Sequence, residues 1–418
     1  MTPQPDRSEI QTKPDKAASF PCPEGFQKAI NAFLKKTLEQ GVFEAVLVPV
    51  KVPRTVSYAW VLARDPALLD EANPLPPVMS VQGGRALSSL TKHGSPALRV
   101  AAVLRPCEYR AAGELFKLKQ IYLDNVHLIT IDCPGAMPLA EYHANVEKSL
   151  ENFGKARENW GGEKSVRPAC VRCHRFSLSS LDDPAGRKTS QENRTESAAP
   201  VDIHIGLLGE SRDQILLIPE SLAGRKILES LGLPVDQSLD GWKTRVEEIK
   251  QKKQAAREAD HETFKKEMTG LDHFSSIFDH CINCHICMRV CPVCYCRQCY
   301  FDSQMKHLSP QTYLERAQSR GSLRFPLDPL LFHLGRMSHM VLSCVSCGAC
   351  EDACPTSIPV GRVFSWVADE TQPAFDYSAG SDWGEPLPLQ SFLKDELCEV
   401  ETPSECAETP GSEVKDNV

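Results

Sequence analysis

Apolar residues at Phe26, Ala29, Ile30, Phe33, Leu34 and Leu38, followed by Gly41, recur at the spacing of one helix face. They predict an amphipathic helix with a glycine stop. The period then shortens. Residues 45–50 and 58–63 are brief runs rich in valine and aromatics and predict strands. The pattern weakens up to residue 97, where Gly83-Gly84 is read as a turn in preference to a phosphate-facing loop. Residues 98–104 form a continuous apolar run of buried-strand length, residues 108–119 carry a helical pattern, and residues 126–131 form a second buried run. This is a βαβ unit, with its two strands parallel and close. Residues 201–206 and 214–218 predict strands returning to the same domain, and residues 223–231 a short helix.

Elsewhere the pattern fades. Residues 183–200 lie in a polar stretch of Pro, Gly, Ser, Asn and charges and predict a flexible insert. Across 240–270 charges alternate with sparse apolar positions (Trp242, Val246, Ile249, Phe264), which predicts a solvated connecting helix. The expected division is a disordered N-terminus (1–22), an α/β domain (23–239), the connecting helix (240–270), a small α+β module (271–377) with a partly helical insert at 300–342, and a disordered acidic tail (378–418). Cys22 is expected to be a lone thiol, and Cys398 and Cys406 fall in the tail.

A chain of 418 residues with 41% hydrophobic content suits two or three globular domains. Basic residues number 47 against 55 acidic, net -8, with no basic stripe, so nucleic acid is not an expected partner. No apolar run reaches membrane-spanning length and no hydrophobic leader stands at the N-terminus, so neither a membrane span nor export is expected. Eighteen cysteines in such a chain point to metal clusters in a reducing, anaerobic cytoplasm, in preference to disulfides.

Their spacing names the chemistry. Cys281, Cys284, Cys287, Cys291 and Pro292 repeat as Cys344, Cys347, Cys350, Cys354 and Pro355. This is the ligand run of bacterial dicluster ferredoxins, in which three thiolates of one run and the last of the other hold each cubane. One 4Fe-4S cluster is assigned to Cys281, Cys284, Cys287 and Cys354, the other to Cys344, Cys347, Cys350 and Cys291. Zinc needs four ligands per site and gives no reason for two identical runs each closed by Cys-Pro.

Four more cysteines form a looser set. Cys107 and Cys133 follow the two strands of the βαβ unit, at the carboxyl edge where open α/β sheets bind ligands. Cys170 and Cys173 form a Cys-x-x-Cys pair. Together they are enough for a third cubane; alternatively Cys107 and Cys133 are small core residues and the loop pair is redox-active or holds zinc. Cys294, Cys296 and Cys299 follow the first run and are read as structural or supporting thiols, too few to close a cubane. His280 and His285 flank ligands and are read as solvated loop histidines. No paired-carboxylate or triad site stands out, so no catalytic residue is assigned.

Arg105-Pro106-Cys107, Asp132-Cys133-Pro134-Gly135, Arg167-Pro168-Ala169-Cys170-Val171-Arg172-Cys173, the two cysteine runs, and Phe332-His333-Leu334 through His339-Met340 carry a resemblance. Over residues 40–377 the chain resembles the coenzyme F-420 hydrogenase/dehydrogenase beta-subunit family, in particular formate dehydrogenase beta subunits with a C-terminal ferredoxin module. The resemblance implies an α/β flavoprotein domain with its own cubane at Cys107, Cys133, Cys170 and Cys173, two further cubanes, and FAD whose contacts no motif here names. It also implies a catalytic dehydrogenase or hydrogenase partner, or a heterodisulfide-reductase-like one, with a deazaflavin as acceptor. The insert and acidic tail depart from the pattern, which leaves the deazaflavin open. A flavin-free adaptor relaying electrons is the competing expectation. No strand–G-x-G-x-x-G–helix fingerprint supports a nicotinamide acceptor.

Overall fold

The computed structural model describes residues 14–160, 165–179, 201–209, 213–296, 298–303 and 308–388. The polar insert at 183–200 and the cysteines of the tail lie outside the described residues. The chain separates into a unit of Met1–Gly384, which holds every helix and strand of the described residues, and a unit of Glu385–Val418.

In chain order the elements are β1 (Lys16–Pro21), α1 (Phe26–Glu39), β2 (Ala45–Lys51), β3 (Tyr58–Ala63), α2 (Gly83–Thr91), β4 (Val100–Leu104), α3 (Pro106–Lys117), β5 (Val126–Ile131), α4 (Leu139–Ala144), α5 (Val146–Glu158), α6 (Pro168–Val171), β6 (Val201–Gly206), β7 (Gln214–Pro219), α7 (Leu222–Ser230), β8 (Val235–Ser238) and α8 (Asp240–Glu267). The cysteine-rich part comes next with α9 (Leu271–Ser276), α10 (Ile286–Arg289), α11 (Pro310–Arg320), α12 (Pro329–Met340), α13 (Ala349–Asp352) and α14 (Val360–Ala374).

One eight-stranded sheet, order β3-β2-β4-β5-β6-β7-β1-β8, organises the α/β part. Its centre, β2-β4-β5-β6, is parallel, and the flanking strands are antiparallel. The predicted βαβ unit is β4-α3-β5, whose strands are direct neighbours with Val100 opposite Val126. Alternation along these strands divides the core. Ala101, Val103, Ile129 and Ile131 face α1, α7 and α8, whereas Ala102, Leu104, Val126 and Leu128 face α2 and α3.

Four expectations change or sharpen. Residues 16–21 of the supposedly disordered N-terminus form β1, which pairs with both β7 and β8; Ala17 and Ala18 are too small to register as an apolar run yet are fully buried. The connecting helix α8 is solvated over most of its surface, as expected, but its buried stripe takes in more than its apolar residues. It buries Trp242, Val246, Ile249 and Phe264 and also the stems of Lys253 and Arg257. Residues 378–384 do not belong to a loose tail: Trp383 packs on Tyr109 and Phe116, with ring centroids 5.1 and 5.5 Å away, and Gly380 N donates to Glu114 at 2.7 Å. Gly83-Gly84 is neither turn nor phosphate loop but the first turn of α2. A Cβ at Gly83 would stand 2.7 Å from Trp60, so glycine here permits close packing of α2 on β3 and α3.

Candidate functional site

The two cysteine runs fold alike. Asn283 and His285 have φ of 54° and 59°, and their counterparts in the repeat, Ser346 and Gly348, have φ of 57° and 72°. Each left-handed pair turns the backbone around its first two cysteines and leads into a one-turn helix, α10 or α13. Turned inward, amide groups meet sulfur: Asn283 N donates to Cys281 Sγ and Ile358 N to Cys354 Sγ, both at 3.4 Å.

The runs also cross over. Cys354 stands among the thiols whose like charge raises Cys281 and Cys287, after the larger effect of burial. Cys291 in turn neighbours Cys344, Cys347 and Cys350. Cys291, Cys344, Cys347 and Cys350 line one cavity together with Arg336. Cys284 is the exposed corner of the other set, flanked by Ile282 and Ile286 at the surface.

Cys107, Cys133, Cys170 and Cys173 are brought together as well. All four line a second cavity, with Arg105, Arg167 and Arg175. Cys107 sits in the first turn of α3, Cys133 just beyond β5, and Cys170 and Cys173 on and after α6. Gly135 (φ 115°) admits the approach of Cys170, whose Cβ would lie 3.0 Å from a Cβ built there. Ser346 and Cys347 line both cavities. The ferredoxin-like loop therefore forms the wall between the two sets of thiols.

Charge in these cavities is one-sided. Burial works against the charge of Arg336, yet the thiols of Cys350, Cys291 and Cys287 outweigh it and hold the guanidinium protonated. Its Nε and Nη1 have no hydrogen-bond partner. Arg167 is 2% exposed, and its Nε and Nη1 are likewise without hydrogen-bond partners. Burial, with Arg110 and Arg257 close by, pushes Arg175 down to about 9. Arg167 Nη1 does stand 3.5 Å from the buried carboxylate of Asp352, whereas Arg336 has no ion pair among the described residues. Buried cations crowded at a thiol-lined cavity, beyond what one carboxylate balances, fit an anionic occupant. The thiols fit it too. Burial pushes Cys133 up to about 11 and Cys347 to about 12, so each loses its proton only where a metal replaces it. Among the described residues no three His, Cys, Asp or Glu side chains are drawn onto a single-ion site.

Sequence reading misses these arginines and one histidine. Arg105 and Arg167 each precede a proline and a helix bearing a cysteine, and this doubled Arg-Pro was the available signal. His333 and Arg336 lie one turn apart on α12 and both are buried. His333 Nε2 is 3.4 Å from Cys281 Sγ, and its ring stacks on Phe278 at 4.2 Å. Burial, with Arg336 and His285 nearby, pushes His333 down to about 3. His285 is not a solvated loop residue: it is held between Asp302 (2.8 Å) and Asn283 (3.0 Å) and stacks on Phe332. His280 is exposed. Cys299 Sγ stands 3.6 Å from Met288 Sδ, burial pushes Cys294 up to about 12, and Cys296 is exposed.

Residues 277–358 match the 4Fe-4S dicluster domain family. The chain is 27% identical over 312 residues to the F-420-dependent formate dehydrogenase subunit beta of Methanocaldococcus jannaschii, covering 68% of this chain and 74% of the relative. It is 27% identical over 375 residues to the F-420-dependent formate dehydrogenase 1 subunit beta of Methanococcus maripaludis, covering 85% of this chain and 90% of the relative. The chain is a homologue of formate dehydrogenase beta subunits. It is an iron–sulfur electron-transfer subunit of an oxidoreductase, with a dicluster domain for two 4Fe-4S clusters. A solved structure of the F-420-reducing [NiFe] hydrogenase complex of Methanosarcina barkeri also aligns, with 14% identity and a TM-score of 0.42, over 65% of this chain and 97% of that one. No described helix is long and apolar enough to cross a membrane.

Proposed function

We propose that this beta-subunit homologue is a three-cluster flavoprotein of a formate dehydrogenase or hydrogenase-type complex. Cys281, Cys284, Cys287 and Cys354 hold the outer cubane; Cys344, Cys347, Cys350 and Cys291 hold the middle one; Cys107, Cys133, Cys170 and Cys173 hold the inner one. The observation that carries this reading is the Ser346-Cys347 loop, which lines both the middle and the inner cavity. It supports a wire running from an exposed corner at Cys284 to the sheet edge. The buried guanidiniums of Arg167 and Arg336, each with nitrogens that make no hydrogen bond, suit the negative charge of thiolate-bound cubanes.

FAD, when bound, exchanges single electrons with a cubane and hydride with a deazaflavin. Coenzyme F-420 is the proposed acceptor, on the strength of the relatives' names. A catalytic dehydrogenase or hydrogenase subunit, or a heterodisulfide-reductase-like subunit, supplies or takes electrons at the outer end, in the cytoplasm. The test is anaerobic. Reconstituted protein with FAD, reduced by a viologen, bleaches coenzyme F-420 if the reading is right. With iron and flavin both bound, no bleaching assigns it instead to a relay between protein partners.

A further inference from the structure

One roomy cavity is not lined by a single cysteine. It has a volume of about 600 Å³ and opens at the carboxyl end of β6, between the start of α1, the end of α5 and the start of α8. That is the size of a pocket for a drug-sized or cofactor-sized molecule. Its walls include Phe26, Arg157, Trp160, Leu207, Gly241 and Arg245.

We propose that this cavity is the FAD site, with Trp160 against the fused ring and Arg157 and Arg245 on the diphosphate. The assignment rests on the flavoprotein reading of the chain. The chemistry of the walls supports each part. Arg157 is half-buried and, among the described residues, makes no hydrogen bond or ion pair; burial pushes its guanidinium down, so a phosphate brought beside it regains the lost solvation. Arg245 stands at the rim, 2.7 Å from Glu248, with its side chain 56% exposed. Glu158, also in the wall, offers a carboxylate to sugar hydroxyls. The glycines Gly25, Gly209 and Gly241 carry no side chain to keep a large ligand away from the wall.

Position supports the assignment as strongly as composition. The ring of Trp160 lies 6.0 Å from the ring of Phe176, and Phe176 lines the cavity of Cys107, Cys133, Cys170 and Cys173. The carbonyl of Phe176 accepts from Cys133 N at 2.8 Å. Two aromatic rings thus separate a ligand in this cavity from the inner thiols. The wall is pinned to the same strand end: Asp132, next to Cys133, accepts from Leu207 N and from Trp242 Nε1, both at 2.8 Å. Trp242 follows Gly241 of the lining. A cavity in contact with β6 but tied to Cys133 suits a cofactor that meets the inner cluster.

The experiment uses the full reconstituted chain, stripped of flavin and titrated anaerobically with FAD while flavin fluorescence is followed. Iron content is measured alongside. Arg157→Ala and Arg245→Ala are each expected to raise the Kd for FAD at least tenfold with iron unchanged, and Arg157→Lys to recover part of the loss. Arg245 is at the rim, so its variant keeps the test valid if Arg157→Ala does not fold. Wild-type Kd in both alanine variants would overturn the location while leaving the flavoprotein reading intact. A wild-type chain that binds no FAD would overturn both. Equal competition by NAD would overturn the choice of a flavin.

Discussion

Nε2 of His333 stands 3.4 Å from Sγ of Cys281, with the imidazole held flat against Phe278. A donor aimed at a ligand sulfur stabilises the more negative, reduced cluster and raises its potential. His333→Leu is therefore expected to lower the midpoint potential of the outer cluster by on the order of 60 mV, about 1.4 kcal/mol for one electron. Redox titration followed by EPR checks this. An unshifted signal would mean that His333 only packs.

Arg336 serves the neighbouring cavity by charge. In holoprotein, Arg336→Met removes the cation that faces Cys350, Cys291 and Cys287, and faster loss of iron to a chelator is expected. In protein already stripped of iron the sign reverses. There the guanidinium is buried and unpaired, so Arg336→Met is expected to raise stability by about 1–4 kcal/mol. Denaturant unfolding of both forms reads the two effects.

Arg257 of α8 forms a two-pronged pair with Asp369 of α14, at 2.5 and 2.8 Å, and also donates to Ser346 Oγ at 3.0 Å. Burial alone would raise Asp369, but the hydrogen bonds and charge of Arg257 more than offset it and hold the carboxyl below 3.8. With its folded value depressed, the pair stabilises above about pH 4 and is lost as pH falls through that lowered value. Asp369 is 36% exposed, so solvent screening limits the contribution to about 1 kcal/mol. Asp369→Asn should cost that much at pH 7. The difference from wild type in denaturant midpoint should close as pH falls below the ordinary aspartate range.

Gly348 touches the helix that carries Cys170. A Cβ there would lie 2.5 Å from Ala169 Cβ, on a backbone with φ of 72°. Gly348→Ala is expected to cost about 2–4 kcal/mol, from left-handed strain together with overpacking. Adding Ala169→Gly relieves only the packing part. A double variant no better than the single one would show that strain alone acts.

The order of elements was legible where apolar runs are long. Residues 98–131 read directly as β4-α3-β5, and the strands at Tyr58–Ala63 and Val201–Gly206 fall where expected. β1 was not, because Ala17 and Ala18 bury little surface and their strand is made by pairing with distant β7 and β8. The cysteines stood out by spacing. Their counter-charges did not: Arg167, Arg175 and Arg336 are scattered through the sequence and read as surface residues until folding gathers them around thiols. Trp160 and Arg157 carry no motif for the same reason, since the cavity they line is assembled from four separate elements.

The most direct measurement is iron per chain in anaerobically reconstituted protein, wild type against Cys133→Ser and Cys170→Ser. Three cubanes predict about twelve irons in wild type and about eight in either variant, with the two ferredoxin-type EPR signals retained. About eight irons in all three proteins would contradict the inner cluster, and with it the path from Cys284 to the sheet edge.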